Sequence, residues 1–184
     1  MHIAFLGAGR SVGTSANMAA LAAGLMHYYS IPASTGGHRA FLPRTEGIFL
    51  SDCSDGGDAG KIIASCDLLA LNVPIPLKGM ELLYLQYSIV RRNVIFLIGK
   101  YFKEKQNELK RLAGQYRIPL GRICPIPYSP HFQRAYEGNR VMEYVKGLER
   151  AKGGYQDVFF QEHLKRAVDA ALIYMDRKGE LYYG

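Results

Sequence analysis

The first 25 residues, MHIAFLGAGRSVGTSANMAALAAGL, constrain the fold more than any other part of the chain. A short apolar run at residues 3–6 enters Gly7-Ala8-Gly9-Arg10-Ser11-Val12-Gly13, and a helical pattern begins near Thr14. Glycines let a backbone turn tightly and bring N–H groups close to an anion, and the positive end of a helix dipole points at the same spot. Strand, glycine loop and helix in this order predict an anion site; a plain tight turn into a packed helix is the alternative. From Ser15 onward Met18, Leu21, Ala22, Leu25 and Tyr29 fall on one helix face.

Four further apolar runs, at residues 48–50, 68–73, 94–98 and 123–126, are bounded by Gly, Asp or Pro. They hold little polar alternation, as expected of strands covered on both faces. Helical patterns lie between and after them. Phe102, Leu109, Leu112, Ala113 and Tyr116 mark an amphipathic helix with a basic outer side, residues 77–90 read as a buried helix, and Phe160, Leu164, Ala167, Val168, Ala171, Leu172 and Met175 form the apolar face of a last one. That last helix carries Glu162, Lys165, Arg166 and Asp169 opposite, a mixture of signs that favours docking on the sheet over lying on a membrane. Strands alternating with helices predict an α/β fold with a doubly wound, mostly parallel sheet. Residues 30–47, with Pro32, Gly36, Gly37 and Pro43, read as a long loop, and residues 147–156 as a second loop. A chain of 184 residues is expected to form one domain, 1–184.

Net charge is +7. This fits contact with nucleic acid, nucleotides or an acidic membrane face, and equally a basic solvated surface. Cys53, Cys66 and Cys124 are odd in number and widely spaced, which argues against a disulfide scaffold or a zinc site and fits a reducing cytoplasm. No apolar stretch approaches the length needed to cross a bilayer, and the start has no signal-peptide pattern.

Two ligand types use a loop of this kind. A dinucleotide fingerprint needs G-x-G-x-x-G and an acid about 20 residues on, at the end of a second strand. Here Val12 takes the third glycine position, and YYSIPASTGGHRA after the helix offers neither a clear strand nor an acid. A P-loop needs G-x-x-x-x-G-K-[ST]. With Gly13 as its second glycine, Ala8 takes the first glycine position, Thr14 the lysine position and Ser15 that of the magnesium-binding hydroxyl. Both patterns are incomplete.

Asp52 ends the second apolar run and leads into Cys53-Ser54-Asp55-Gly56-Gly57. CDLLALNVP follows at 66–74, NVIFLIGKY at 93–101 and ICPIPYSPHFQRAYEGNRVMEYV at 123–145. In this order, over most of residues 1–145, these segments resemble the deviant P-loop ATPases of the ParA/MinD type, which include partitioning, septum-site and pilus-assembly proteins. The last segment looks most like them: a strand into Ile126-Pro127-Tyr128, then a helix ending in Ala-x-x-Gly-x-x-Val at Ala135, Gly138 and Val141. The resemblance implies a P-loop-NTPase-like three-layer sandwich that binds ATP or ADP with magnesium. It implies nucleotide binding by Gly9, Arg10, Ser11, Val12, Gly13, Thr14 and Ser15, with Pro127 and Tyr128 near the base. Ser15 and Asp52 would hold or orient the magnesium, and Gly56 would belong to the loop that senses the terminal phosphate. It also implies a homodimer that recruits a protein partner, with DNA or a membrane surface as further contacts.

The departures are specific. The family's loop reads K-G-G-x-G-K-T; its first lysine aligns with Gly9, its two glycines with Arg10 and Ser11, and its second lysine with Thr14. An asparagine that often reads the base aligns with Gly99. The family's additional strand with an acid, between the first helix and Asp52, has no counterpart if residues 30–47 are a loop, so the domain is expected to be reduced there. Arg10 either restores some lost charge or points to solvent. Asp55 and Asp58 beside Asp52 form either a carboxylate cluster for metal or an ordinary Asp/Gly turn, and His131 has no acid partner at motif spacing. The leading expectation is a degenerate nucleotide-binding protein, with hydrolysis at or near background. The alternatives are an NAD(P)-binding Rossmann oxidoreductase using Gly7, Gly9 and Gly13, and a structural adaptor that binds no nucleotide.

Overall fold

The computed structural model describes residues 1–9, 13–37, 46–54, 59–74, 93–149 and 154–176. Six strands form one all-parallel sheet: β1 (His2–Gly7), β2 (Ala33–Gly37), β3 (Ile48–Asp52), β4 (Leu68–Asn72), β5 (Val94–Tyr101) and β6 (Ile123–Pro127), in the spatial order β2-β3-β1-β4-β5-β6. The described helices are α1 (Thr14–Tyr29), α2 (Ala59–Ser65), α3 (Gln106–Gln115), α4 (Pro130–Glu137), α5 (Val141–Leu148) and α6 (Tyr155–Asp176). The fold is the expected α/β class with a parallel sheet between two helical layers.

The apolar runs are continuous because both faces of the sheet are covered. Successive side chains point to opposite faces. Ile3, Phe5, Ile48, Leu50, Leu68, Ala70, Ile95, Leu97, Cys124 and Ile126 pack into a core with α1, α5 and α6. Ala4, Leu6, Leu69, Leu71, Val94, Phe96, Ile98 and Ile123 pack into a second core with α2 and α3. The sequence pattern of α6 is thereby explained: Phe160, Leu164, Ala167, Val168, Ala171 and Met175 are buried against the first core, so this helix is docked.

Several expectations change. Residues 30–47 contain β2, which pairs with β3 from Ala33↔Ile48 to Gly37↔Asp52. Ala-Ser-Thr-Gly-Gly carries no apolar run because an edge strand is held by backbone hydrogen bonds and need not be buried on both sides. The helix after Gly13 is not amphipathic. From Thr14 to Leu25 it is buried on most sides, because α5 and α6 cover its outer surface, and Gly24 lets α6 come so close that an added Cβ would stand 2.6 Å from Val168 Cγ2. Tyr29 leaves the apolar face; it is exposed and hydrogen-bonds through its hydroxyl to Asp169 of α6. Phe102 precedes α3 instead of lying in it, exposed, with its ring tilted against Tyr128. The segment after β6 is two helices, for α4 stops at the Gly138 cap and Val141 begins α5. The loop read at 147–156 is narrower, since α5 runs to Leu148 and α6 starts at Tyr155. The helix expected at 77–90 lies outside the described residues. No helix among the described residues is long and apolar enough to cross a membrane.

Candidate functional site

β1 is central, and its connection leaves to α1 on one face of the sheet, while that of its neighbour β3 leaves to α2 on the other. Open parallel sheets carry ligands in the crevice such a divergence leaves at the carboxyl ends of the strands. A cavity of about 880 Å³ lies there, within the size range of small-molecule sites.

One end of the cavity is built from the glycine loop. Ala8 N–H donates to the Asn72 carbonyl (2.7 Å), which ties the start of the loop to the end of β4. Gly13 takes φ +83°, a left-handed turn open to glycine without a Cβ penalty, and serves as the N-cap of α1 without any side-chain cap. The first turn of α1 carries no acid, so its amide dipoles face the cavity uncompensated by a carboxylate of their own helix. Ser15 is exposed there, and its hydroxyl donates to Asp52 Oδ2 at 2.7 Å. Asp52 Oδ1 accepts from Ser54 N–H (3.0 Å), and Ser54 Oγ accepts from Gly7 N–H (3.2 Å). The ends of β1 and β3 and the start of α1 are thus joined by one polar network.

The other end is mostly apolar and aromatic, with Lys100, Ser129 and Gln133 among its lining. Gly99, Lys100, Ile126, Pro127, Tyr128, Phe132 and Tyr136 line it, from the ends of β5 and β6 and from α4. Ser129 caps α4 by accepting from Phe132 N–H (3.1 Å), and Tyr128 N–H donates to the Tyr101 carbonyl (2.9 Å). Tyr128 is thereby fixed at the mouth, partly exposed, with Phe102 beside it.

Of the residues singled out from sequence, Gly9, Gly13, Thr14, Ser15, Asp52, Pro127 and Tyr128 line this one cavity. Arg10, Ser11, Val12, Asp55, Gly56 and Asp58 lie outside the described residues. Gly99, aligned with a base-reading asparagine, also lines it and brings no side chain. Among the described residues no group of three or more His, Cys, Asp or Glu forms a metal cluster.

The sequence reading missed a buried amide pair. Asn17 Nδ2 donates to Asn72 Oδ1 at 2.8 Å, and Asn72 is 0% exposed. An amide inside the otherwise apolar run 68–73 was the available signal. It also missed the partner of His131, because that partner is distant in sequence: Nδ1 lies 3.0 Å from Asp157 Oδ2 in α6. Asp157 Oδ1 accepts from Tyr144 (2.9 Å) and Ser129 (3.4 Å), so this carboxylate gathers α4, α5 and the start of α6 behind the cavity. Burial pushes the Tyr144 phenol up, and Asp157 adds to the shift while the Ser129 hydrogen bond opposes it, so Tyr144 stays a donor. Cys53, Cys66 and Cys124 are free thiols, and burial holds Cys124 up at about 12.

No protein-family model matches the chain, and no curated protein matches it in sequence. Among solved structures, that of a plasmid partition protein from Borrelia burgdorferi B31 bound to AMPPNP is similar in fold. Its TM-score is 0.58 at 12% identity, over 94% of this chain and 98% of that one.

Proposed function

We propose that this chain binds a nucleotide, ATP or ADP with magnesium, in the cavity at the carboxyl edge of its sheet, and that it is a degenerate relative of the ParA/MinD-type proteins. The observation that carries the reading is the polarity of the cavity. Its amide-rich end, with Ser15 and Asp52 in contact, suits phosphates, and its Pro127–Tyr128 end suits a base. The AMPPNP bound to the partition protein of similar fold supports the same ligand class.

Ser15 Oγ and the Asp52 carboxylate are adjacent hard oxygen donors, which fits magnesium, an ion that takes few protein ligands and keeps its waters and phosphate oxygens. When bound, that ion neutralises phosphate charge. Thr14, at the lysine position of the loop, adds no charge, so transition-state stabilisation should suffer more than binding. Turnover is therefore at background, and the protein works by dimerising in the bound state and recruiting a protein partner. DNA or an acidic membrane is a further partner class, for which the exposed Lys103, Lys110 and Arg111 are available.

The dinucleotide reading is less well supported. Its acid must hold a ribose hydroxyl away from the phosphates, whereas Asp52 is engaged by Ser15 in the first turn of α1. β2, the first strand after α1, ends in Gly37.

Thermal shift with ATP, ADP, GTP, NADH and NADPH, with magnesium or EDTA, tests the proposal. At a hundredfold excess over Kd, ATP or ADP should raise Tm by about 5–10 °C. Asp52→Ala and Ser15→Ala should remove the part of that shift that depends on magnesium. Stabilisation by NADPH alone, or by none of the five, would sink the reading. Robust magnesium-dependent hydrolysis abolished by Asp52→Ala would overturn its degenerate part.

A further inference from the structure

Strand β5 carries one residue too many where it meets the cavity. Its register with β6 runs Phe96↔Ile123, Leu97↔Cys124 and Ile98↔Pro125, and then jumps to Tyr101↔Pro127. Three steps along β5 face two along β6, which is a β-bulge, a device that re-aims side chains beside functional sites. Lys100 occupies the bulge with φ +52°, a left-handed conformation that a lysine seldom adopts and that persists where the surroundings impose it. It is exposed, lines the cavity, and is the single cation among the described lining residues. Among the described residues its ammonium has no ion pair or hydrogen bond with any side chain.

We propose that Lys100 is a ligand-binding residue whose ammonium holds the phosphate nearest the ligand's apolar body. This rests on the nucleotide reading above and assigns it a cation from outside the glycine loop, whose lysine position is held by Thr14. Position decides which phosphate. β5 is separated from β1 by β4, so Lys100 is rooted two strand spacings, about 10 Å, across the sheet from the strand that feeds the loop. A lysine's four-carbon stem spans only part of that distance. Lys100 therefore does not replace the loop lysine at the far phosphate beside α1. It meets the ligand midway, where a nucleotide places its first phosphate between the loop and Tyr128.

Calorimetric titration of the full chain with adenosine, AMP, ADP and ATP, for the unaltered protein, Lys100→Met and Lys100→Gly, tests this. Lys100→Met should weaken AMP, ADP and ATP by one common factor of about tenfold or more, the size of a charge-assisted hydrogen bond, and leave adenosine unchanged. Lys100→Gly should lose the same affinity yet melt no lower than the unaltered chain, because glycine accepts the left-handed backbone. Equal binding of all three nucleotides by Lys100→Met overturns the assignment. So does a loss confined to ATP, which would put the ammonium on the terminal phosphate, or a loss shared by adenosine, which would put it on the sugar or base. If the unaltered chain binds none of the three nucleotides, the nucleotide reading fails first and this one with it.

Discussion

Removing the Asn17 side chain tests whether the mouth of the glycine loop is braced from beneath. Asn17 Nδ2 is the donor to Asn72 Oδ1, 2.8 Å away, and both residues are buried. Asn17→Ala leaves that buried oxygen without its donor, at a cost of about 1–3 kcal/mol. For a chain of this length, the middle of that range lowers Tm by about 4–8 °C. Asn72→Ala orphans the Asn17 amide instead and also deletes the Nδ2 donor to the Ala70 carbonyl at 3.3 Å. The double variant has no orphan from the pair, so it should cost less than the sum of the two by about 1–2 kcal/mol. Urea titration at constant m measures all three. Additivity within about 0.5 kcal/mol would refute the reasoning, since the two amides would then be independent of each other.

Three further substitutions probe the packing and the pH response. Gly24→Ala gains about 1 kcal/mol in helix propensity but drives a methyl into Val168, and overpacking of about 1–3 kcal/mol should win. Val168→Ala in the same chain should recover part of the loss, and a stabilised Gly24→Ala would contradict the close approach of α1 and α6. His2 and His163 are held below the ordinary 6.5 by burial, against the upward pull of Asp67 on the first and of the Phe159 carbonyl on the second. The unfolded chain therefore takes up these protons first as pH falls, and stability should drop below pH 6.5. Denaturant midpoints across pH 5–8 should flatten in a His163→Gln variant if the imidazole is responsible.

The buried strands were legible because coverage on both faces leaves uninterrupted apolar runs, whereas Ser15 and Asp52, 37 positions apart, came together only through the ParA/MinD-type resemblance. Strand β2 was not legible, because an edge strand of Ala, Ser, Thr and Gly has no hydrophobic signature. The length of β5 was hidden for a related reason: a bulge interrupts the pattern at Gly99 and Lys100, so the strand seemed to stop at Ile98. Tyr29 matched the helical period and still points outward, since periodicity does not say where a neighbouring helix ends. The Asn17–Asn72 and His131–Asp157 contacts join residues 55 and 26 positions apart, and no local pattern encodes such pairs.

The clasp between α1 and α6 sets a timetable for synthesis. Tyr29 and Asp169 meet across 140 residues, and Phe160, Leu164 and Val168 complete a core begun by Ile3 and Phe5. At about 5–20 residues per second, the ribosome holds the early strands for several seconds or more before their cover exists. During that interval α1 and α5 alone cover this side of the sheet, and a nascent chain halted before residue 155 leaves exposed the apolar surface that α6 would bury. Release of the chain through α6 is thus the event that turns an adhesive intermediate into a closed protein.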